Sequence, residues 1–330
     1  MGNDSIERDH QIDNIRTVLI FFVVIGHMLE LVSGDLAGSL YRFIYSFHMP
    51  AFIFVSGYFA KYNPQKILRK LLLPYAVFQT LYLVFEAYVL KESIFHLHFA
   101  QPYWLMWYLM AMLIYYLVLP LLQTNKRDTA WMIITICFFL SMTAGFDGGA
   151  NKILSFSRVL TFLPLFIGGY YANKFGIKDW IKKHKAAAII VSAALCLIFE
   201  VFFDLFEVSV DVMYGSYSYG GMSYYLAPRF LFIAGSFAWI ILFLSSTPSK
   251  KIPFFTVVGQ RTLQIYLLHG FIVKLLEKSA IFKEDNVSNL VFAVLTAFAI
   301  TIVLVAIPFG KITGAVKNFA APVLTKSIDK

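Results

Sequence analysis

Apolar residues along this chain form long runs that are separated by short polar connections. A helix needs about 20 consecutive apolar residues to cross the hydrocarbon core of a bilayer, because each residue advances the axis by about 1.5 Å. Ten runs approach this length, and no connection is long enough for a second folded unit. The pattern therefore predicts an all-α, polytopic integral membrane helical bundle that forms a single domain over residues 1–330. The predicted spans are 14–33, 40–59, 71–90, 104–122, 129–146, 157–173, 186–206, 227–246, 261–280 and 288–309.

Two of these runs contain a proline. Pro50 interrupts the second predicted span and Pro164 interrupts the sixth. Proline is tolerated in membrane helices when neighbouring groups satisfy the freed backbone carbonyl. Pro50 and Gly57 together predict a second helix that is either broken or closely packed against a neighbour.

Connections rich in lysine and arginine alternate with connections that contain few, and the basic ones are those expected in the cytoplasm when the N-terminus is cytoplasmic. With that orientation, 18 of the 28 lysines and arginines fall in cytoplasmic stretches and 5 fall in outer stretches or at the outer ends of spans. Cytoplasmic loops of membrane proteins carry such an excess. We therefore predict an even number of spans, N- and C-termini in the cytoplasm, and a multi-pass protein of the cell membrane.

Composition and net charge agree with a lipid environment. The chain is 59% hydrophobic and 14% charged, whereas soluble domains carry about 25% charged residues. A net charge of +9 in a soluble protein would suggest nucleic acid, but here the basic cytoplasmic loops explain it. We expect the bilayer, and no nucleic acid, as a partner. The sequence contains no zinc-ligand spacing, P-loop, dinucleotide fingerprint or serine-hydrolase elbow, so we also predict no metal.

The first span carries three polar residues that become functional candidates, because ionisable groups at membrane depth cost several kcal/mol. Arg16 and His27 are eleven residues apart. This is close to three turns and about 16 Å, which puts both on one helix face. We expect Arg16 near the cytoplasmic mouth, His27 near mid-membrane, and Glu30 one turn further, where it can orient or charge the imidazole. The alternative is a packing histidine and a snorkelling arginine, and the pairing of the two residues favours the functional interpretation.

Further polar residues leave two interpretations open. His48 either faces a cavity or bonds a carbonyl freed by the nearby proline. Arg69 and Lys70 either anchor the inner interface or form a clamp for a phosphate-bearing ligand from the cytoplasm. Arg158 and His269 belong either to structural pairs or to a site. Five tyrosines in the stretch 207–226 suit an ordinary interface belt slightly better than they suit contacts with sugar rings.

The spacing of Arg16 and His27 in IDNIRTVLIFFVVIGH resembles the first-helix signature of the acyltransferase 3 family. Later stretches look like that family in order, namely FHMPAFIFVSGYF, KILRKLLLPY, WYLMAMLIYYLVLP, FLPLFIGGYY and LQIYLLH. The resemblance covers nearly the whole chain. The short length without an attached domain is most similar to the stand-alone, fucose-4-O-acetylase-related branch.

This resemblance implies a bacterial membrane O-acyltransferase. Such an enzyme takes an acyl group, usually acetyl, from cytoplasmic acyl-coenzyme A. It passes the group to a hydroxyl of an extracytoplasmic or lipid-linked carbohydrate, such as a polysaccharide. The expected partners are therefore acetyl-coenzyme A and a glycan acceptor, and the expected reaction is O-acetylation.

The resemblance also implies roles for individual residues. A sugar hydroxyl needs a base to attack a thioester, and an imidazole can supply it at neutral pH. By analogy, His27 is the catalytic histidine, and Arg16 and Arg69 are basic residues near the donor. The predicted site residues are His27, Arg16 and Glu30 for catalysis, Arg69, Lys70 and Arg16 for the donor, and His48, Arg158 and His269 for the acceptor.

Two other functions remain open at this stage. A transporter or exporter of a glycan or small metabolite would also place polar residues and interrupted helices in the membrane, although no internal repeat is visible. A membrane module that assists a separate enzyme would carry out no acyl transfer alone. Release of thiol from acetyl-coenzyme A by the isolated chain separates the enzyme from both alternatives.

Overall fold

Helices account for the regular structure of the protein. The computed structural model describes residues 8–92, 96–146, 153–206, 208–219, 226–279, 281–282 and 286–308, and these contain helices, turns and loops without a strand. The helices are α1 (His10–Leu29), α2 (Asp35–Tyr58), α3 (Pro64–Leu90), α4 (Trp104–Leu122), α5 (Arg127–Thr143), α6 (Phe156–Lys174), α7 (Ile177–Lys183), α8 (Lys185–Leu205), α9 (Val210–Tyr214), α10 (Leu226–Ser246), α11 (Pro253–Gln260), α12 (Thr262–Ser279) and α13 (Val287–Ala306).

The all-α prediction is confirmed for the described residues, and each of the ten predicted spans overlaps a helix. Among the described helices, six are long and apolar enough to cross a membrane, namely α1, α3, α4, α8, α10 and α13. Helices α2, α5, α6 and α12 coincide with the other four predicted spans. The count of ten spans and the cytoplasmic position of both termini stay predictions.

Helix α1 lies inside the bundle and is surrounded by other helices. It packs against α2, α11, α12 and α13, and most of its residues are buried. By contrast, α8 and α13 expose apolar side chains such as Leu197 and Val303, as expected for helices that face lipid. The polar residues of α1 are therefore held among other helices and not on the rim.

Side-chain amides on α1 attach it to the end of α10. The Gln11 amide nitrogen donates to the carbonyls of Leu244 and Thr247, both at 2.8 Å, and the Asn14 amide nitrogen donates to the Pro248 carbonyl at 2.9 Å. The last carbonyls of a helix have no partner within the helix. These bonds satisfy that requirement and fix the position of α1 along its axis.

Helices α2 and α6 are in direct backbone contact and are unbroken by their prolines. Pro50 lies within α2 and Pro164 lies within α6, so close packing, and not a break, is what the structure shows. A Cβ on Gly57 would collide with the Phe166 carbonyl of α6, and a Cβ on Gly169 would collide with a carbonyl of α2. Small residues allow helix backbones to approach in this way in membrane bundles.

Candidate active site

A cavity of about 430 Å³ opens at one end of the bundle. It lies where the last turns of α1 meet the first half of α2, the starts of α4 and α6, the short helix α9 and one face of α12. The charge distribution predicts that this end faces outward. Candidate polar residues and aromatic rings line it, including His27, Glu30, His48, Arg158, Trp104 and Trp107.

His27 and Glu30 form a pair at the end of α1. Helix α1 ends at Leu29, earlier than predicted, so His27 lies in its last turn and not near its middle. The distance between His27 Nδ1 and Glu30 Oε1 is 2.9 Å. Because a carboxylate only accepts hydrogen bonds, Nδ1 carries the proton and donates it. The lone pair of the neutral ring is then on Nε2, which leaves that atom able to act as a base.

Two tyrosines of α2 complete the surroundings of Glu30. The hydroxyl of Tyr45 donates to Glu30 Oε1 at 2.8 Å, and the hydroxyl of Tyr41 donates to the same atom at 3.2 Å. The Tyr41 hydroxyl also shares a hydrogen bond with the hydroxyl of Tyr214, which ends α9. The carboxylate is therefore held by three donors. Although Glu30 is partly exposed, these donors fix the orientation of its carboxylate at the mouth of the cavity.

Trp104 and His269 pack on the imidazole of His27. The ring centroid of Trp104 lies 4.6 Å from that of His27 in an edge arrangement, and the ring centroid of His269 lies at 5.3 Å. Trp104 has a backbone φ of 29°, which is uncommon for a residue with a side chain and clusters at functional sites. The Lys274 ammonium lies 4.8 Å from the centroid of the Trp104 ring. The imidazole is thus held by neighbours from α4 and α12.

A buried glutamine fixes the loop that leads to Trp104. The Gln79 amide nitrogen donates to the carbonyls of His98 and Gln101 at 3.0 and 2.9 Å, and its oxygen accepts from the Tyr103 backbone N–H at 2.9 Å. All three hydrogen bonds join Gln79 of α3 to one loop. The Trp104 indole is therefore positioned by α3, a helix that contributes no residue to the cavity wall.

His269 was predicted to contact the acceptor, but among the described residues it lies behind His27 and does not line the cavity. It is fully buried, and its Nδ1 donates to the Ile265 carbonyl at 3.0 Å. Its Nε2 is buried and has no hydrogen-bond partner in the described part of the chain. His269 therefore lies behind two residues that line the cavity, His27 and Tyr266.

His48 and Arg158 both line the cavity, as a site interpretation requires. His48 Nδ1 donates to the Ile44 carbonyl at 2.7 Å. That carbonyl is not the one freed by Pro50, which would lie four residues before the proline at Ser46. Arg158 places its guanidinium 4.9 Å from the centroid of the Trp107 ring and makes no ion pair within the described residues.

Arg16 lies at the other end of α1, about 16 Å from His27 along the axis by helix geometry. Its guanidinium stacks on the ring of Phe59 at 5.0 Å from the centroid. The structure therefore does not bring Arg16 to the His27 pair. The two residues lie at opposite ends of one buried helix, in the order that the spacing predicts.

A smaller void of about 80 Å³ lies between these two ends. It is lined by Ile20, Phe52 and Tyr108, and Tyr108 is hydrogen-bonded to Ser56 at 2.7 Å. Ile20 lies one turn from Arg16 toward His27. The void shares three lining residues with the large cavity, namely Val23, Met49 and Tyr266. The two spaces are therefore adjacent inside the bundle.

Arg69 and Lys70 are exposed near the start of α3 and line neither space. They lie in a π-helical turn, Leu68–Leu72, a feature often found at functional sites. Neither forms an ion pair with another described residue. Their side chains are thus free for contacts outside the chain, at the end of the bundle predicted to be cytoplasmic.

Several aromatic residues of the site were not predicted. Tyr41, Tyr45 and His48 follow each other at helical spacing on one face of α2, a signal that the sequence does carry. In the tyrosine-rich stretch, Tyr214 and Tyr217 line the cavity, and the choice between an interface belt and contacts with sugar rings stays a prediction. Tyr224 and Tyr225 lie outside the described residues.

Comparison with known protein families identifies the class of reaction. The model of the acyltransferase 3 family, described as an acyltransferase domain, matches residues 9–308. The chain belongs to the acyltransferase 3 family. The match covers every helix described above, including both ends of α1 and all the cavity walls. The protein is therefore a membrane acyltransferase, as the resemblance implied.

A curated relative is similar over most of its length. Nodulation protein NolL of Mesorhizobium japonicum is 25% identical over 345 aligned positions, which cover 91% of this chain and 86% of NolL. No solved structure matches this chain.

Proposed function

We propose that this acyltransferase moves an acetyl group from cytoplasmic acetyl-coenzyme A to a hydroxyl of an extracytoplasmic or lipid-linked carbohydrate. The observation that carries the proposal is the His27 imidazole. Its Nδ1 is bound to Glu30 at 2.9 Å, and it lines a cavity of about 430 Å³ at the predicted outer end of the bundle. Such a cavity has the size of a small-molecule site.

The pair supports general base catalysis. In the proposed reaction, Nε2 of His27 takes the proton of the acceptor hydroxyl while its oxygen attacks the thioester carbon. Glu30 stabilises the positive imidazolium that results, as a carboxylate does in a catalytic triad. When the C–S bond breaks, the thiolate takes the proton from His27. The products are an ester and free coenzyme A, and the enzyme returns to its starting state.

The donor is proposed to enter from the opposite end. Coenzyme A carries phosphates, and charge-assisted bonds from guanidinium groups bind them well. Arg69 and Lys70 are exposed there, and Arg16 lies further along, at the inner end of α1. The void beside Ile20 shares lining residues with the large cavity, which suits a narrow flexible arm that carries the thioester to His27.

The acceptor is proposed to bind in the large cavity. Aromatic faces suit sugar rings, and Tyr41, Tyr45, Trp104 and Trp107 all line it, together with His48. This lining supports a carbohydrate acceptor. It is also consistent with the fucose-4-O-acetylase-related branch, which stays part of the proposal.

The topology required by this scheme is ten spans with both termini in the cytoplasm, in the cell membrane. With that orientation, the His27 end of α1 faces outward and the Arg16 end faces the cytoplasm. The alternation of positive charges along the chain supports it.

The test adds acetyl-coenzyme A to purified wild type and to His27→Ala, and follows thermal stability and free thiol together. We expect both proteins to be stabilised and only wild type to release thiol. His184→Ala is the matched control, because His184 is exposed and does not line the cavity. Full activity in folded His27→Ala would refute the role of His27. Folded wild type that neither binds nor cleaves the donor would favour a transporter, and flux into vesicles would then be measured.

A further inference from the structure

The proposed reaction needs a group that the sequence does not identify. When the acceptor oxygen attacks the thioester, the carbonyl oxygen becomes an anion. Donors aimed at that oxygen commonly contribute a factor of about 10²–10³ to the rate. The His27–Glu30 pair cannot supply this, because one member is the base and the other is a carboxylate.

Most hydroxyl donors that line the cavity are already engaged. The hydroxyls of Tyr41 and Tyr45 donate to Glu30. The hydroxyl of Tyr214 is bonded to that of Tyr41, and the hydroxyl of Tyr266 donates to the Leu105 carbonyl. Moving any of these toward a substrate would break a bond that holds the cavity wall together.

Arg158 differs from these residues because most of its donors are unused. Its Nη2 donates to Ser216 Oγ at 3.2 Å, and its Nε is buried without a partner in the described part of the chain. A guanidinium has five N–H donors in a rigid plane. A buried donor without a partner costs free energy, which a ligand oxygen would recover. The stacking of the guanidinium on Trp107 fixes its plane without neutralising its charge.

The other charges in the cavity wall are compensated. Glu30 is paired with His27, and Glu277 accepts from Lys274 at 2.7 Å. Among the described lining residues, Arg158 is thus the cation without a carboxylate partner. An anion that forms during the reaction would meet this uncompensated charge at the cavity wall.

We propose that Arg158 stabilises the oxyanion of the tetrahedral intermediate, an inference that rests on the proposed function. The acceptor oxygen forms a C–O bond, the carbonyl π pair moves onto the carbonyl oxygen, and Arg158 donates hydrogen bonds to that oxygen. His27 holds the acceptor proton. The carbonyl then re-forms, the C–S bond breaks, and the sulfur takes the pair and the proton from His27. Arg158 keeps all its protons throughout.

Arg158 could instead bind a negative group on the acceptor. Hydrolysis of the thioester without acceptor distinguishes this role from stabilisation of the oxyanion. Water attacking the thioester also forms the oxyanion, but no acceptor is present. An oxyanion donor is therefore required for thiol release with and without acceptor, whereas an acceptor-binding arginine is required only for transfer.

The experiment measures thiol release from acetyl-coenzyme A by purified protein without acceptor, in wild type, Arg158→Gln, Arg158→Lys and Arg158→Ala. Stabilisation by the donor is measured in parallel. We expect release to fall about 10²–10³-fold in Arg158→Gln with donor binding unchanged. The lysine variant keeps the charge but not the planar fork, so it should recover only part of the rate. Added guanidinium ion should raise the rate of Arg158→Ala and leave His27→Ala unchanged.

Arg42→Gln is the matched control, because it removes a positive charge from the same end of the bundle. Arg42 pairs with Asp204 at 2.5 Å and does not line the cavity. Its rate should stay within about twofold of wild type. Wild-type release from folded Arg158→Gln or Arg158→Lys overturns the assignment while leaving the proposed function intact. No release from folded wild type overturns the proposed function and this inference with it.

Discussion

Replacing Glu30 by glutamine tests the central pair of the site. The substitution keeps the shape of the side chain and removes its charge. The three donors that now converge on one carboxylate, His27 Nδ1, Tyr45 and Tyr41, would then meet an amide. The amide NH₂ can donate to Nδ1 of the imidazole, which moves the ring proton to Nε2. In that tautomer, the atom that faces the substrate can no longer act as a base.

The size of the effect follows from two losses. The imidazolium formed during the reaction loses its counter-charge at 2.9 Å, and the amide no longer restricts the ring to the tautomer with the proton on Nδ1. General base catalysis contributes about 10²–10⁴-fold, and a comparable change from carboxylate to amide in a serine protease triad lowers kcat by about 10⁴. We therefore expect kcat to fall by about 10²–10⁴, or about 3–5 kcal/mol of transition-state stabilisation.

The assay is thiol release from acetyl-coenzyme A under saturating donor, with KM determined in the same experiment. Glu30 lies about 20 Å along the α1 axis from Arg16 by helix geometry, so donor binding should be little changed. The loss should therefore appear in kcat, with KM within a few-fold of wild type. Such a split marks an interaction made mainly in the transition state.

Glu200→Gln is the control for losing a carboxylate inside the bundle. Glu200 of α8 accepts from Ser46 at 2.5 Å and from Trp239 Nε1 at 3.2 Å, and it does not line the cavity. We expect its kcat to remain near that of wild type. Folded Glu30→Gln with a wild-type kcat would refute the reasoning, because neither charge nor tautomer would then matter.

Two further predictions concern packing and positioning. Gly57→Ala should lower the free energy of unfolding by about 1–3 kcal/mol, because its Cβ meets a backbone carbonyl of α6. Gly38→Ala is the control and should be neutral or stabilising, because no atom lies within 4 Å of its new Cβ. The midpoints of thermal unfolding in detergent compare the two variants. Equal midpoints would contradict the close contact. Tyr45→Phe should slow thiol release about tenfold, less than Glu30→Gln, because one hydroxyl donor to Glu30 is lost. An unchanged rate would show that His27 and Tyr41 are sufficient to hold Glu30 in place.

The features that the sequence predicted well are those that depend on one helix at a time. The period of 3.6 residues puts Glu30 next to His27 and separates Arg16 from His27 by about 16 Å in any α-helix. Apolar runs of the required length likewise identify helices in whatever order they later pack. These inferences need no knowledge of neighbouring helices, and the structure agrees with each of them.

Contacts between separate helices could not be predicted in this way. His269 was assigned to the acceptor, yet it lies behind His27, because the rotation of α12 is set by its packing and not by its own pattern. Pro50 left a broken helix open, but two glycines bring α2 and α6 into backbone contact and α2 stays continuous.

The sequence by itself therefore determined the membrane class, the helices and the pairing within α1. Only the tertiary structure placed Arg158, Tyr45 and Trp104 around one cavity with His27. The physical reason is the range of the interactions. Hydrogen bonds and side-chain spacing within a helix are local, whereas the walls of the cavity come from residues as far apart along the chain as Val23 and Glu277, which meet only through packing.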